Sequence, residues 1–249
     1  MKKQFVAVTV VLLVLLSMTA FAATNGRYDQ QIQQAVSQKM HGTKQLTNVS
    51  ATVEDGIVTL TGTVNLYQDK LNAAKKAKKT AGVTGVRNNI EVAGANVSDS
   101  QLEQKLAKKL AFDRVGYFDN TFNYLALNVQ NGVVTLEGDM VYDTPKASAL
   151  SVVAGTSGVK DVVDNVKVLP ASFFDNSLRV KIARAIYRDP VLSKYAIDPV
   201  HPIRIVVENG HVTLYGSVNS TMDKNVAGVR AGAVPGSFSV DNKLVVNKG

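Results

Sequence analysis

The 249-residue sequence predicts an α+β protein made of three tandem α-β-β-α-β units, each a small three-stranded mixed sheet with two helices on one face. Three observations carry this expectation. One seven-residue phrase occurs three times, as Gly56-Ile57-Val58-Thr59-Leu60-Thr61-Gly62, Gly132-Val133-Val134-Thr135-Leu136-Glu137-Gly138 and Gly210-His211-Val212-Thr213-Leu214-Tyr215-Gly216. Each copy opens on a turn pair (Asp55-Gly56, Asn131-Gly132, Asn209-Gly210) that favours positive φ, and such a pair between alternating apolar runs is a strong hairpin signal. Upstream of each copy lies a stripe of apolar residues four apart. Self-similarity at near-constant spacing marks a repeat architecture.

Each element follows in order. The amino terminus reads as an export signal over residues 1–22: Lys2 and Lys3, an apolar core from Phe5 to Leu16, and the small-x-small site Ala20-Phe21-Ala22. Cleavage is expected after Ala22 or Ala23, which makes the protein periplasmic; the alternative is an uncleaved membrane anchor, for which the apolar stretch is only marginally long enough. The units are expected over residues 27–94, 98–169 and 175–247. The first helix of each carries Ile32, Val36, Met40; Leu102, Leu106, Leu110; and Leu178, Ile182, Ile186, the stripe of a helix with one buried face. Ser98, Asp99 and Ser100, and Asp175, Asn176 and Ser177, stand where helix caps belong.

The strand before each turn alternates strictly: Val49, Ala51, Val53; Leu125, Leu127, Val129; Ile203, Ile205, Val207. The strand after it turns Val58, Leu60 and Val64 inward, with Val134, Leu136, Met140 and Val212, Leu214, Val218 as equivalents. Thr59, Thr61 and Thr63 and their counterparts face the other way, so one sheet face is polar and only the opposite face needs covering. An alanine-rich second helix is expected over 68–81, 144–154 and 221–231. A closing strand is expected over 86–92, 162–168 and 240–246.

Charge separates the copies. The chain carries a formal +8, and residues 24–95 hold nine Lys/Arg against five Asp/Glu, residues 96–169 seven against nine, and residues 170–249 ten against six. The outer copies are basic and the middle one is acidic, which suits anionic partners but lacks the charge density of a nucleic-acid binder. The chain has no cysteine. That removes disulfides, thiolate chemistry and Cys-based zinc sites.

With the helix, the Gly-x-Val-Thr-Leu-x-Gly hairpin and a closing Gly-Val-x-x-Val-x-Asn-x-Ile-x-Val pattern in place, the chain resembles three tandem BON domains. Copies one and two carry Gly82-Val83-Thr84-Gly85-Val86 and Gly158-Val159-Lys160-Asp161-Val162. Copy three departs with Pro235-Gly236-Ser237-Phe238-Ser239-Val240, which suggests a shortened or frayed second helix. The resemblance implies a non-catalytic envelope module that binds phospholipid or membrane surface, with links to osmotic or envelope stress and to chaperone-like behaviour.

No catalytic, metal or cofactor set emerges. His41, His201 and His211 occupy non-equivalent positions, and no nucleophile elbow or phosphate loop is present. Function is therefore sought in what differs between copies. Lys75, Lys76, Lys78 and Lys79 end the second helix of copy one, where cations both offset the helix dipole and offer an anion-binding surface. Lys181, Arg184 and Arg188 form a basic stripe on the first helix of copy three. Phe112, Tyr117, Phe118 and Phe122, with Tyr124 just beyond, crowd a loop in copy two that suits a membrane interface, a partner or a neighbouring unit. The expected partners are anionic phospholipid or membrane surface, or unfolded envelope proteins, and not nucleic acid.

Overall fold

A computed structural model describes residues 26, 28–111, 121–196 and 203–247. The expected signal segment, most of the aromatic loop and His201 lie outside these residues. Contacts group the chain into two compact units, one of Met1–Asn96 with Ser157–Lys160 and one of Val97–Thr156 with Asp161–Gly249. The first holds copy one with Ser157–Lys160 of copy two, and the second holds the rest of copy two and copy three.

Copy one begins with a helix over 28–41 (α1), followed by β1 (Val49–Glu54), β2 (Ile57–Val64), α2 (Tyr67–Lys78), β3 (Gly85–Asn88) and β4 (Glu91–Val92). Copy two has α3 (Asp99–Ala111), β5 (Tyr124–Gln130), β6 (Val133–Met140), α4 (Asp143–Ala154) and β7 (Asp161–Val168). Copy three has α5 (Phe173–Tyr187), β8 (Arg204–Glu208), β9 (His211–Tyr215), β10 (Ser217–Val218), α6 (Thr221–Gly232), β11 (Ser239–Asn242) and β12 (Val245–Val246). The fold is α+β, repeated three times.

In each copy the strand that leaves the turn is central. β2 pairs antiparallel with β1, Val49 facing Gly62 and Glu54 facing Ile57, and parallel with β3, Ile57 facing Gly85. β6 does the same between β5 and β7, and β9 between β8 and β11. The turn residues Asp55, Asn131 and Asn209 have φ of 51°, 53° and 51°, and the glycines after them 75°, 78° and 77°. These are the left-handed pairs of a type I′ turn.

The inward residues do what the alternation predicts. Ile32, Val36, Met40, Val49, Ala51, Val58, Leu60, Val64, Ala73, Ala77 and Ile90 form one buried cluster in copy one, and alanines let α2 approach closely. Each fully buried aliphatic side chain is worth about 1.5–3 kcal/mol. Copy three has the matching cluster, from Leu178, Ile182 and Ile186 on α5 to Leu214 on β9.

Four expectations need correction. The closing strand is continuous only in copy two; in the others it breaks after Asn88 and Asn242. Those amides donate to Lys70 O (2.8 Å) and Lys224 O (2.6 Å) on the preceding helix and accept from the backbone two residues on, so a side chain turns the strand. The α6 helix is not shortened: it has 12 residues, as α2 and α4 do, because Pro235 lies beyond its end and Gly236 makes the same positive-φ turn as Gly82 and Gly158. Asp99 and Asp175 do something other than cap their helices, as described below. And in the second unit, the outer sheet faces are not left to solvent.

That fourth difference follows from outward residues that are apolar or aromatic. Val206 alternates with the inward Ile205 and Val207, yet is only 5% exposed. The outward Tyr124 of copy two stacks on the outward Tyr215 of copy three, with ring centroids 3.7 Å apart and planes 5° from parallel. Lys167 Nζ meets Glu208 at 2.6 Å, and Arg204 Nη1 donates to Asn123 O at 3.2 Å. Copies two and three thus join through the faces that the hydrophobic pattern assigns to water.

Candidate functional site

Each repeat contains one arrangement that the helix-cap expectation misses. The aspartate three residues before the first stripe residue reaches the hairpin turn and accepts both of its backbone N–H groups. Asp29 takes Asp55 N and Gly56 N, each at 2.9 Å; Asp99 takes Asn131 N at 2.7 Å and Gly132 N at 2.9 Å; Asp175 takes Asn209 N at 3.0 Å and Gly210 N at 2.9 Å. Two successive left-handed residues aim their N–H groups into one concavity, which attracts an anion. Here the protein fills it with its own carboxylate, so these three nests are structural. The capping of α5 falls to Ser172, whose hydroxyl accepts from Asp175 N at 3.1 Å.

The basic residues singled out in the sequence are exposed. Lys75, Lys76, Lys78 and Lys79 cover the end of α2 away from the buried Ala73 and Ala77. Lys181 and Arg184 are exposed on α5, and Arg188 is exposed at its C-cap. None of the seven has an ion-pair partner among the described residues. Arg179, one residue off the α5 stripe, is buried at 2% exposure and donates through Nη2 to Val207 O at 2.5 Å and through Nη1 to Asn176 Oδ1. Burial pushes its pKa down from the usual arginine range.

Of the loop aromatics, Phe112, Tyr117 and Phe118 lie outside the described residues. Phe122 packs against the core cluster of copy three. Tyr187 of α5, whose hydroxyl donates to Ile203 O at 2.6 Å, has its pKa pushed up to about 12, chiefly by burial.

The aromatic residues that do face solvent were not singled out from the sequence. Phe173 is 97% exposed, Phe174 is 51% exposed and Phe238 is 71% exposed. Phe174 and Phe238 have ring centroids 6.2 Å apart, and Phe238 meets the His211 ring edge-on at the same distance. The signal was available in projection. At about 100° per residue, Phe173, Phe174, Ser177, Val180, Lys181, Arg184 and Arg188 fall within one arc of roughly 120°. All seven are exposed, and no carboxylate lies among them. The arc is apolar towards the start of α5 and cationic towards its end.

A third guanidinium joins the cationic end. Arg184, Ala185, Arg188, Asp189, Pro190 and Arg230 line a shallow depression between the ends of α5 and α6, and Arg230 Nε lies 2.6 Å from Asp189 Oδ2. The backbone N–H of Val191 at 2.8 Å is the first cause that holds the Asp189 pKa below the usual carboxylate value, with Arg230 adding to it. His41 and His211 are exposed, the latter sharing a 2.8 Å hydrogen bond with Ser239 Oγ. Among the described residues, no cluster of three metal-ligating side chains occurs and no helix is long and apolar enough to cross a membrane.

Residues 28–94, 98–170 and 175–248 each match the model of the BON domain. The chain belongs to the BON domain family. No curated protein matches this BON chain in sequence. Among solved structures it is similar to CdsD, a structural protein of the type III secretion system of Chlamydia trachomatis, at 14% identity over 87% of this chain and 92% of that one, with a TM-score of 0.24. The CdsD C-terminal domain gives 14% identity over 85% and 96%, with a TM-score of 0.26. The PrgH periplasmic domain gives 10% identity over 81% and 96%, with a TM-score of 0.20. At such scores these likenesses carry no weight for architecture or role, and the BON assignment rests on the family match alone.

Proposed function

We propose that this BON protein is a non-catalytic, exported envelope protein that binds anionic phospholipid surfaces peripherally. BON domains are associated with phospholipid binding at the envelope, and the export signal read at residues 1–22 fits that setting. The observation that carries the reading is the exposed face of α5: two phenylalanines at one end, three cations at the other and no acid between them. Aromatic rings partition to the level of the headgroups, and each cation close to an anionic leaflet adds about 1 kcal/mol, which is enough for reversible attachment. Lys75, Lys76, Lys78 and Lys79 supply a second cationic surface of the same kind.

Co-sedimentation with vesicles of phosphatidylcholine, with and without phosphatidylglycerol, tests the reading at low and high salt. Binding is expected only to the anionic vesicles, weaker at high salt, and reduced by Phe173→Ser with Phe174→Ser. Equal retention on neutral vesicles, or none on either, defeats it. The exposed Phe173, Phe174 and Phe238 also suit a chaperone-like role, holding apolar segments of unfolded envelope proteins. That alternative predicts suppression of client aggregation that survives neutralising the seven cations.

A further inference from the structure

We infer that the depression between the ends of α5 and α6 is a phosphate-group site, built by Arg184, Arg188 and Arg230, that the first two repeats do not have. Repeats one and two close the equivalent place with a lysine that crosses from the first helix to a threonine at the end of the second. Lys39 Nζ donates to Thr80 Oγ1 at 2.8 Å, and Lys109 Nζ to Thr156 Oγ1 at 3.0 Å. Both threonines also donate to a backbone carbonyl of their own helix, so the two helix ends are tied together. By the repeat register, the third copy has Ala185 and Val234 instead. The lysine–threonine tie is absent, Asp189 and Arg230 join the two helix ends instead, and Ala185 becomes part of the floor.

What surrounds that floor is arranged rather than merely charged. Asp189 is buried, and one of its carboxylate oxygens is fixed by Val191 N while the other takes Arg230 Nε at 2.6 Å. An arginine held through Nε keeps both terminal nitrogens for a ligand, and those of Arg230 have no partner among the described residues. Arg184 and Arg188 stand one turn apart on the same side of α5, without ion pairs among the described residues. Three guanidinium groups against one carboxylate leave two positive charges. Cations at helix ends also offset the dipole, an effect of about half a charge per helix; dipole compensation does not require a buried carboxylate that orients one of them. Planar guanidinium forks match the oxygen pairs of a phosphate group, which a lysine ammonium does not.

The source of the phosphate, a lipid headgroup or a soluble phosphate, follows from the experiment. The lipid source rests on the membrane reading above, whereas the site itself does not. Titrating the 15N-labelled chain with inorganic phosphate should shift the Arg230 Nε–H and Ala185 amide signals saturably. Arg184→Gln with Arg188→Gln should weaken this by about tenfold or more, as loss of charge-assisted contacts implies. Both side chains are exposed, so the fold is not at stake. Arg184→Lys with Arg188→Lys keeps the charge and should still lose most of the affinity; wild-type affinity in that pair overturns the site, as does the absence of a saturable shift. Phosphatidylglycerol vesicles bound by the wild type and tenfold less by the Lys pair, which keeps the charge, assign the lipid source. Vesicles bound equally by the wild type and the Lys pair remove the lipid source while leaving the membrane reading intact. Phosphate binding without vesicle binding keeps the site with a soluble ligand and removes the membrane reading.

Discussion

A single carboxylate per repeat ties the first helix to the hairpin. Asp29, Asp99 and Asp175 each accept two turn N–H groups, and Asp175 is the one shielded from water. A hydrogen bond to a charged group contributes about 1.5–3 kcal/mol, and a buried N–H left without a partner costs a comparable amount. Asp175→Ala is therefore expected to destabilise copy three by about 2–3 kcal/mol, and to raise hydrogen exchange at Asn209 and Gly210 far more than at the Asn131–Gly132 turn. An unchanged exchange pattern would remove the clamp. Asp189 gives a second residue-scale expectation. Its folded pKa lies below the ordinary value of 3.8. Its contribution to stability is thus complete above that value and is lost as the pH falls through the lower, folded one. Asp189→Asn should flatten the acid limb of a denaturation profile measured from neutral pH downward. The turn itself was legible in Asp-Gly and Asn-Gly; the clamp was not, because an aspartate at the start of a helix reads equally well as a cap.

Strands and helices were legible wherever a single period governs them. Alternation identified the inward positions of β2, β6 and β9, and four-residue spacing identified the buried stripes of α1 and α5, because one buried face dictates both patterns. What alternation does not reveal is a residue whose constraint is the neighbouring backbone. Gly138 has a φ of 144°, and a Cβ there would stand 2.1 Å from Tyr124 O on the adjacent strand. Gly138→Ala is expected to cost about 2 kcal/mol or more through strain and forced separation of β5 from β6, read as a lowered midpoint in urea. The α5 face was missed for a different reason. Its cations stand out as a stripe, while Phe173 and Phe174 precede the first buried leucine and so fall outside the periodic window. Only the helix start at Phe173 places them on the same arc.

For the molecule as a whole, the count of three copies was legible, but the pairing of two of them was not. The residues that join copies two and three alternate with inward ones as solvent residues do, and Tyr124, Lys167, Glu208 and Tyr215 acquire a partner only through tertiary structure. Copies two and three are expected to unfold in one transition. Tyr124→Ala with Tyr215→Ala removes an aromatic pair worth about 0.5–1.5 kcal/mol beyond its buried area. It should split that transition into two by calorimetry; a single transition in the double variant would show that the stack does not couple them. The same interface alters what the connector at residues 170–172 does. Leu169, just before it, is buried, and its N–H donates to Met140 O at 2.8 Å, so the chain enters the connector already anchored. A protease that severed the connector would cut a tether and release nothing: the two fragments would still migrate together as one particle until the stacked tyrosines and the Lys167–Glu208 pair came apart.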